Sequence, residues 1–263
     1  MKRNLKFILA LIKMKLSHMM VFRLSFFGAF FVDGSLFLIQ ILTFQAIYSQ
    51  VDSIGGWSRG EMIIFIGTFS MINALNMVIF FFGVITIPDK IKNGQLDHYI
   101  TKPVSPLLRL TFENVNPGSI PLLFLSVGII TYGISLLEIT VTPLRVIGYI
   151  ILVLIMTVLW YDIELLLRII PLFTVSAYNF SRLEDSLLDV SMKIPGVLLK
   201  GVFKLILYLV IPYGIMSTFP TQFITNTLSP GWLAYGCGIV ILFTYLTGRI
   251  WKLGLKYYKS ASS

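Results

Sequence analysis

Charge is scarce in this sequence. Only 13% of its 263 residues are Asp, Glu, Lys or Arg, while 56% are apolar. Soluble domains carry about a quarter charged residues, so a chain this long with so few charges cannot clothe a soluble surface. Cysteine is scarcer still. Cys237 stands alone inside an apolar run, which excludes a disulfide within the chain. No cluster of His and Cys has the spacing of a metal site, and His18 and His98 lie far apart. No glycine-rich phosphate loop ends in Gly-Lys-Ser/Thr, so ATP hydrolysis by that route is excluded. Low-complexity tracts and segments long enough for a soluble domain are missing too. So is an internal repeat, which counts against the repeat-built secondary transporters.

What is present is a series of apolar runs that approach or exceed the roughly 20 residues needed to cross a hydrocarbon core. Backbone amides in lipid must be satisfied internally, so each run reads as a helix. The runs do not alternate with period two, which argues against a β-barrel. The expected fold is all-α and polytopic, a single transmembrane unit with six spans. They are drawn at 24–48, 62–85, 119–136, from 144 past Trp160, 197–216 and 232–249. Residues 165–180 are apolar but interrupted by Arg168 and Pro171; they read as an extension of span four, the alternative being a separate short helix. Residues 1–23 carry six basic residues beside a face of Leu5, Ile8, Ile12 and Leu16. That suits an interfacial helix, the alternative being an extension of span one. No secretory signal is apparent, because the first apolar run is too long for one.

A net charge of +9 would suggest nucleic acid in a soluble protein. Here it follows membrane topology. With both ends inside, the inner regions 1–23, 86–118, 165–204 and 249–263 hold 19 of the 21 Lys and Arg residues, leaving Arg59 and Arg145 outside. That asymmetry obeys the positive-inside rule. Trp57, Trp160, Trp232 and Trp251 fall near span ends, where interfacial anchors belong.

Polar residues inside spans are the candidates for a substrate pathway: Asp33 in span one, Asn73 and Asn76 in span two. An ionisable group in lipid is costly and implies function by default, although polar side chains also join helices. Glu164 and Arg168, four residues apart, read as a pair on one helix. Glu184, Asp185 and Asp189 read as a solvated loop face. The stretch 211–230 has Pro212, Pro220 and Pro230 and no charge, with apolar Met216, Phe219 and Phe223. Pro212 breaks a continuing helix. An uncharged stretch between two outer span ends predicts short re-entrant helices over 211–231 that cap the exit as an outer gate; the alternative is a plain apolar loop.

The inner loop after span two holds Pro88, then Lys90, Ile91, Lys92, Asn93, Gly94, Gln95, Leu96 and Asp97, followed by Ile100, Lys102 and Pro103. Its periodicity reads as a short amphipathic helix, a plain connector or a docking helix for a soluble partner. The string from Ile91 to Asp97, with Ile100 and Lys102-Pro103, resembles the corresponding loop of the ABC type-2 exporter permeases. Gly56-Trp57-Ser58-Arg59-Gly60-Glu61 is similar to the entry to their second span. Ile211-Pro212-Tyr213 with Phe219-Pro220 is similar to the end of their fifth. Glu113 to Gly118 departs from the pattern by being turn-rich. The resemblance implies a transport subunit with no ATP site of its own, in the cell membrane with both termini cytoplasmic. It implies soluble ABC ATPase partners that carry ATP and Mg, and a second, non-identical permease. It also implies re-entrant helices before the last span, and an ATPase-coupling role for Lys90, Ile91, Asn93, Gly94, Gln95, Leu96, Asp97, Ile100, Lys102 and Pro103. The rival classes are a secondary transporter or channel, for which Asp33 is thin support, and a membrane enzyme, for which no acid–base or metal cluster exists.

Overall fold

The computed structural model describes residues 10–11, 13–14, 28–137, 139–174 and 178–258. The expected interfacial helix therefore lies outside the described residues, apart from Ala10, Leu11, Lys13 and Met14, which are helical. The architecture is all-α. Its elements are α1 (Gly28–Tyr48), α2 (Arg59–Asn76), α3 (Ile87–Lys92), α4 (Asp97–Ile100), α5 (Pro106–Phe112), α6 (Ile120–Ser135), α7 (Pro143–Arg168) and α8 (Tyr178–Lys193). There follow α9 (Gly201–Leu205), α10 (Tyr213–Met216), α11 (Thr218–Ile224) and α12 (Pro230–Tyr257).

Local chemistry fixes where the long helices begin. Ser58 and Glu61 form a reciprocal capping box, Ser58 N–H donating to Glu61 Oε2 at 2.8 Å. Thr142 caps α7 and Ser229 caps α12, each followed by a proline whose missing N–H costs nothing in the first turn. Five runs among the described residues are long and apolar enough to cross a membrane: Phe30–Tyr48, Arg59–Lys92, Pro117–Ser135, Pro143–Leu172 and Pro230–Tyr257. Phe31, Phe124, Leu144 and Ile241 are each more than two-thirds exposed, as a surface facing lipid tails requires. The chain is a multi-pass α-helical membrane protein.

The tightest pairing is α2 against α6, and small residues make it possible. A Cβ on Gly67 would lie 2.7 Å from Ile130 Cγ1, and one on Gly133 would lie 2.8 Å from Ile64 Cγ1. Ser70 and Ser126 share a buried hydrogen bond of 2.8 Å across the same seam. Close backbone approach plus interhelical hydrogen bonding is how membrane helices associate when lipid removes the hydrophobic drive.

Two expectations are corrected here. Span two does not stop at Ile85: it runs through a π-helical turn at Met77–Phe81 and on to Lys92, a 34-residue rod. Pro88 does not end it, because it sits in the first turn of α3. The fifth crossing is also misplaced in the sequence. Gly201–Val210 and Tyr213–Ile224 are bent by 79° and form a hairpin rather than a span. Its first arm puts Lys204 5.6 Å from the Trp232 ring, at the start of α12. Its second arm puts Phe223 where a Cβ on Gly148, near the start of α7, would lie. Both arms thus reach the same end of the bundle. The apex is deep, with Tyr213 6.3 Å from Trp160.

The crossing is made by α8 instead. Before its midpoint Glu184 meets Arg168, the last residue of α7. Near its end Gln40 donates to the Met192 carbonyl at 2.6 Å, and Leu198 lies against Gly55 in the turn between α1 and α2. Sixteen residues of helix rise about 24 Å, most of a hydrocarbon core. Hydropathy hides this helix, since it carries Glu184, Asp185 and Asp189. Residues 165–180 do not form one continuous helix with α7: a 3₁₀ turn at Ile170–Leu172, holding Pro171, closes it. Lys200 and Lys204 move with this correction to the end opposite the 86–118 loop. The topology has a direct check. Single cysteines at Ser53 and Lys200, in a background without Cys237, label from one side of the membrane, and one at Ser105 from the other. Labelling of Lys200 together with Ser105 would restore the sequence-drawn fifth span.

Candidate functional site

The 86–118 segment is a folded block rather than a flexible connector. Gly94, with φ +70°, reverses the chain after α3 and lets Leu96 N–H donate to the Lys90 carbonyl at 3.2 Å. Ile91 and Leu96 are buried with Val84, Ile87, Leu110, Leu165, Ile169, Leu172 and Trp251. This second core ties the loop to α7 and α12. Glu113 is the polar centre of the block. Lys90 pairs with Glu113 Oε1, and the Tyr99 hydroxyl lies 2.9 Å from both carboxylate oxygens. The Tyr99 ring is flanked by Lys90 at 5.0 Å and Arg109 at 4.7 Å. Burial pushes the Tyr99 phenol above its ordinary range, and the neighbouring Lys90 holds it back.

The sequence-predicted coupling residues therefore divide. Ile91 and Leu96 point into the core, and Lys90 is spent on Glu113. Asn93, Gln95, Ile100, Lys102 and Pro103 are exposed and form a rim. Asp97 is half-buried beside Tyr258, whose phenol is raised by burial and by that carboxylate. Glu113, Tyr99 and Arg109 were missed as members. The only signal was the turn-rich departure at 113–118, which is the hinge returning the chain to α6.

The pathway candidates are not brought together by hydrogen bonds. Asp33 stays on α1, its Oδ2 buried and without a hydrogen-bond partner. Asn73 reaches Met77 Sδ one turn along its own helix at 3.9 Å. Asn76 alone links to another span, its Nδ2 donating to Glu164 Oε2 at 3.2 Å. Glu164 and Arg168 do not form the expected ion pair; Arg168 Nη2 meets Glu184 Oε2 at 3.0 Å, and the Tyr213 hydroxyl donates to Glu184 Oε1 at 3.0 Å. Glu184 is 2% exposed, so the solvated-loop reading fails for it. Asp185 and Asp189 are exposed. The result is a buried polar cluster joining α2, α7, α8 and the hairpin apex. No sequence spacing shows it, because its members are up to 137 residues apart.

The expected outer-gate residues all lie on the hairpin. Pro212, Met216, Phe219 and Pro220 are buried, and Phe223 is half-buried. Phe219 packs on Tyr208 and Trp232 at 6.1 and 5.9 Å. The hairpin begins at Gly201, ten residues before the predicted 211–231 segment. Thr221 sits beside Thr68, which shares a 2.8 Å hydrogen bond with Tyr149. Among the described residues no group of His, Cys, Asp and Glu could hold a metal ion.

Comparison with curated proteins and with solved structures returns no match. The family model of the ABC-2 family transporter proteins matches residues 35–262. That match takes in most of the first crossing and, after it, the folded loop, the hairpin and the last span, and this chain belongs to the ABC-2 family of transporter proteins as a membrane-spanning permease subunit.

Proposed function

We propose that this permease is the membrane half of an exporter, driven by separate ATPase subunits that bind ATP and Mg. The observation that carries this reading is the continuity of span two with the 86–113 block. A rod from Arg59 to Lys92 delivers any push on the exposed rim straight to the centre of the bundle. A partner groove closing on Asn93, Gln95, Ile100, Lys102 and Pro103 moves a lever braced by Glu113 and the second core. A second, non-identical permease completes the pathway in the cell membrane, with lipid around it and the termini in the cytoplasm. The α8 face of Asp185, Asp189 and Lys193 is exposed on a helix that crosses the bilayer. Charges at that depth face water or protein rather than lipid. This face is a better pathway candidate than Asp33, Asn73 and Asn76.

The test uses the assembled complex in lipid discs. Single cysteines at Gln95 and Lys102, in a background without Cys237, cross-link to the ATPase subunit, and ATP weakens or shifts the cross-link. Glu113→Ala leaves ATP binding by the partner intact but lowers substrate-stimulated hydrolysis by about tenfold, within the usual range of coupling energies. The purified chain alone shows no ATPase activity. Unimpaired coupling in Glu113→Ala, or absence of any cross-link from both cysteines, rejects the lever.

A further inference from the structure

The carboxyl of Glu164 is buried in α7 at the level of Asn76 on α2, 1% exposed. Its hydrogen-bond accounting does not close if it is ionised. Oε2 accepts from Asn76 Nδ2 at 3.2 Å. The other oxygen, Oε1, is buried with no partner, and so is the amide oxygen of the same asparagine, Oδ1. Two orphan acceptors on two groups already paired share one remedy. A single proton on Glu164 Oε1 can donate to Asn76 Oδ1, closing a two-bond acid–amide ring and satisfying both.

The charged surroundings agree. From α8, Glu184 and Asp185 bring negative charge, and from α7, Tyr161 adds a neutral phenol. The hairpin contributes Tyr213, whose hydroxyl is committed to Glu184, and α2 contributes only the neutral Asn76. The nearby cation is Arg168, whose guanidinium lies 3.0 Å from Glu184. Among the described residues, one cation thus stands among three acidic groups. An ionised Glu164 would be a second buried anion beside one cation, an arrangement that proteins relieve by taking up a proton.

We propose that Glu164 is a proton-binding site whose neutral acid forms a two-bond ring with Asn76 and latches α2 to α7. The proton comes from and returns to bulk water. The Oε1–H bond breaks when the spans part and water reaches the carboxyl, leaving a solvated carboxylate and releasing one proton. Because α2 continues into the loop block, the latch lies between that block and the hairpin apex. Its state therefore follows the position of the rod, whatever substrate is moved.

Infrared difference spectroscopy of the purified permease in lipid discs reads the latch directly. A protonated-carboxyl C=O band is present at neutral pH and is removed by Glu164→Gln. In Asn76→Leu the band persists but shifts to higher frequency, because the hydrogen bond is lost. Glu164→Gln keeps near-native thermal stability, because a Gln–Asn pair reproduces both bonds. Transport by the wild-type complex is expected to decline at alkaline pH, and that decline to be flattened in Glu164→Gln. A spectrum of Glu164→Gln identical to wild type overturns the proposal, and so does an Asn76→Leu band that does not move. Failure of Glu164→Gln to assemble also overturns it, since the neutral isostere must be tolerated.

Discussion

Glu184→Ala destabilises this permease by about 3–5 kcal/mol, the usual penalty when one partner of a buried ion pair is removed. The side chains of Arg168 and Glu184 are 10% and 2% exposed, and their contact is 3.0 Å. Losing the carboxylate takes the 3.0 Å ionic partner from a buried guanidinium and removes the acceptor of the Tyr213 hydroxyl. The hairpin apex then loses its polar tie to the crossing helix. In detergent the melting midpoint falls by at least about 6 °C for a chain of this size. The paired replacement Arg168→Met with Glu184→Leu recovers most of the loss, because both members of the buried ion pair are then replaced by apolar side chains. If the single and double variants melt together, the ion pair does not hold α7, α8 and the hairpin in register.

Gly83→Ala disconnects the loop block from span two. A Cβ at this position would lie 2.4 Å from the carbonyl oxygens of both Leu110 and Thr111. Those are backbone atoms of α5 and cannot yield as a side-chain tip does. Overpacking at such a site costs about 1–3 kcal/mol. It also moves α5, which carries Arg109 and precedes Glu113, away from Lys90 and Tyr99. The coupled complex then loses substrate-stimulated hydrolysis while its resting hydrolysis stays. Gly238→Ala is the control: it meets open space, and neither stability nor coupling changes. Full coupling in Gly83→Ala shows that the α2–α5 contact does not transmit the push.

The entry to span two and the loop after it show how far sequence reading carries. Ser58 and Glu61, which enter the sequence reading only through the family resemblance, form a reciprocal capping box. The string from Ile91 to Asp97 contains Gly94 where the backbone takes a positive φ. These are local signals, and local geometry answers them. Glu113 gave no such signal, since its meaning comes from Lys90 and Tyr99, 23 and 14 residues away.

Composition and periodicity by themselves determined that this chain is an all-helical membrane protein, because lipid forces apolar runs into helices. Only the tertiary structure decided which segment makes the fifth crossing. α8 is too polar to be chosen by hydropathy, yet packing on the core satisfies Glu184 and the backbone of Met192 at a depth where lipid could not. The more apolar 201–224 is bent into a hairpin instead, because Pro212 lacks an amide donor and the chain must return to α12 at the end from which it came. Burial and partner, rather than residue type, assign depth in a membrane, and those are known only once the helices have met.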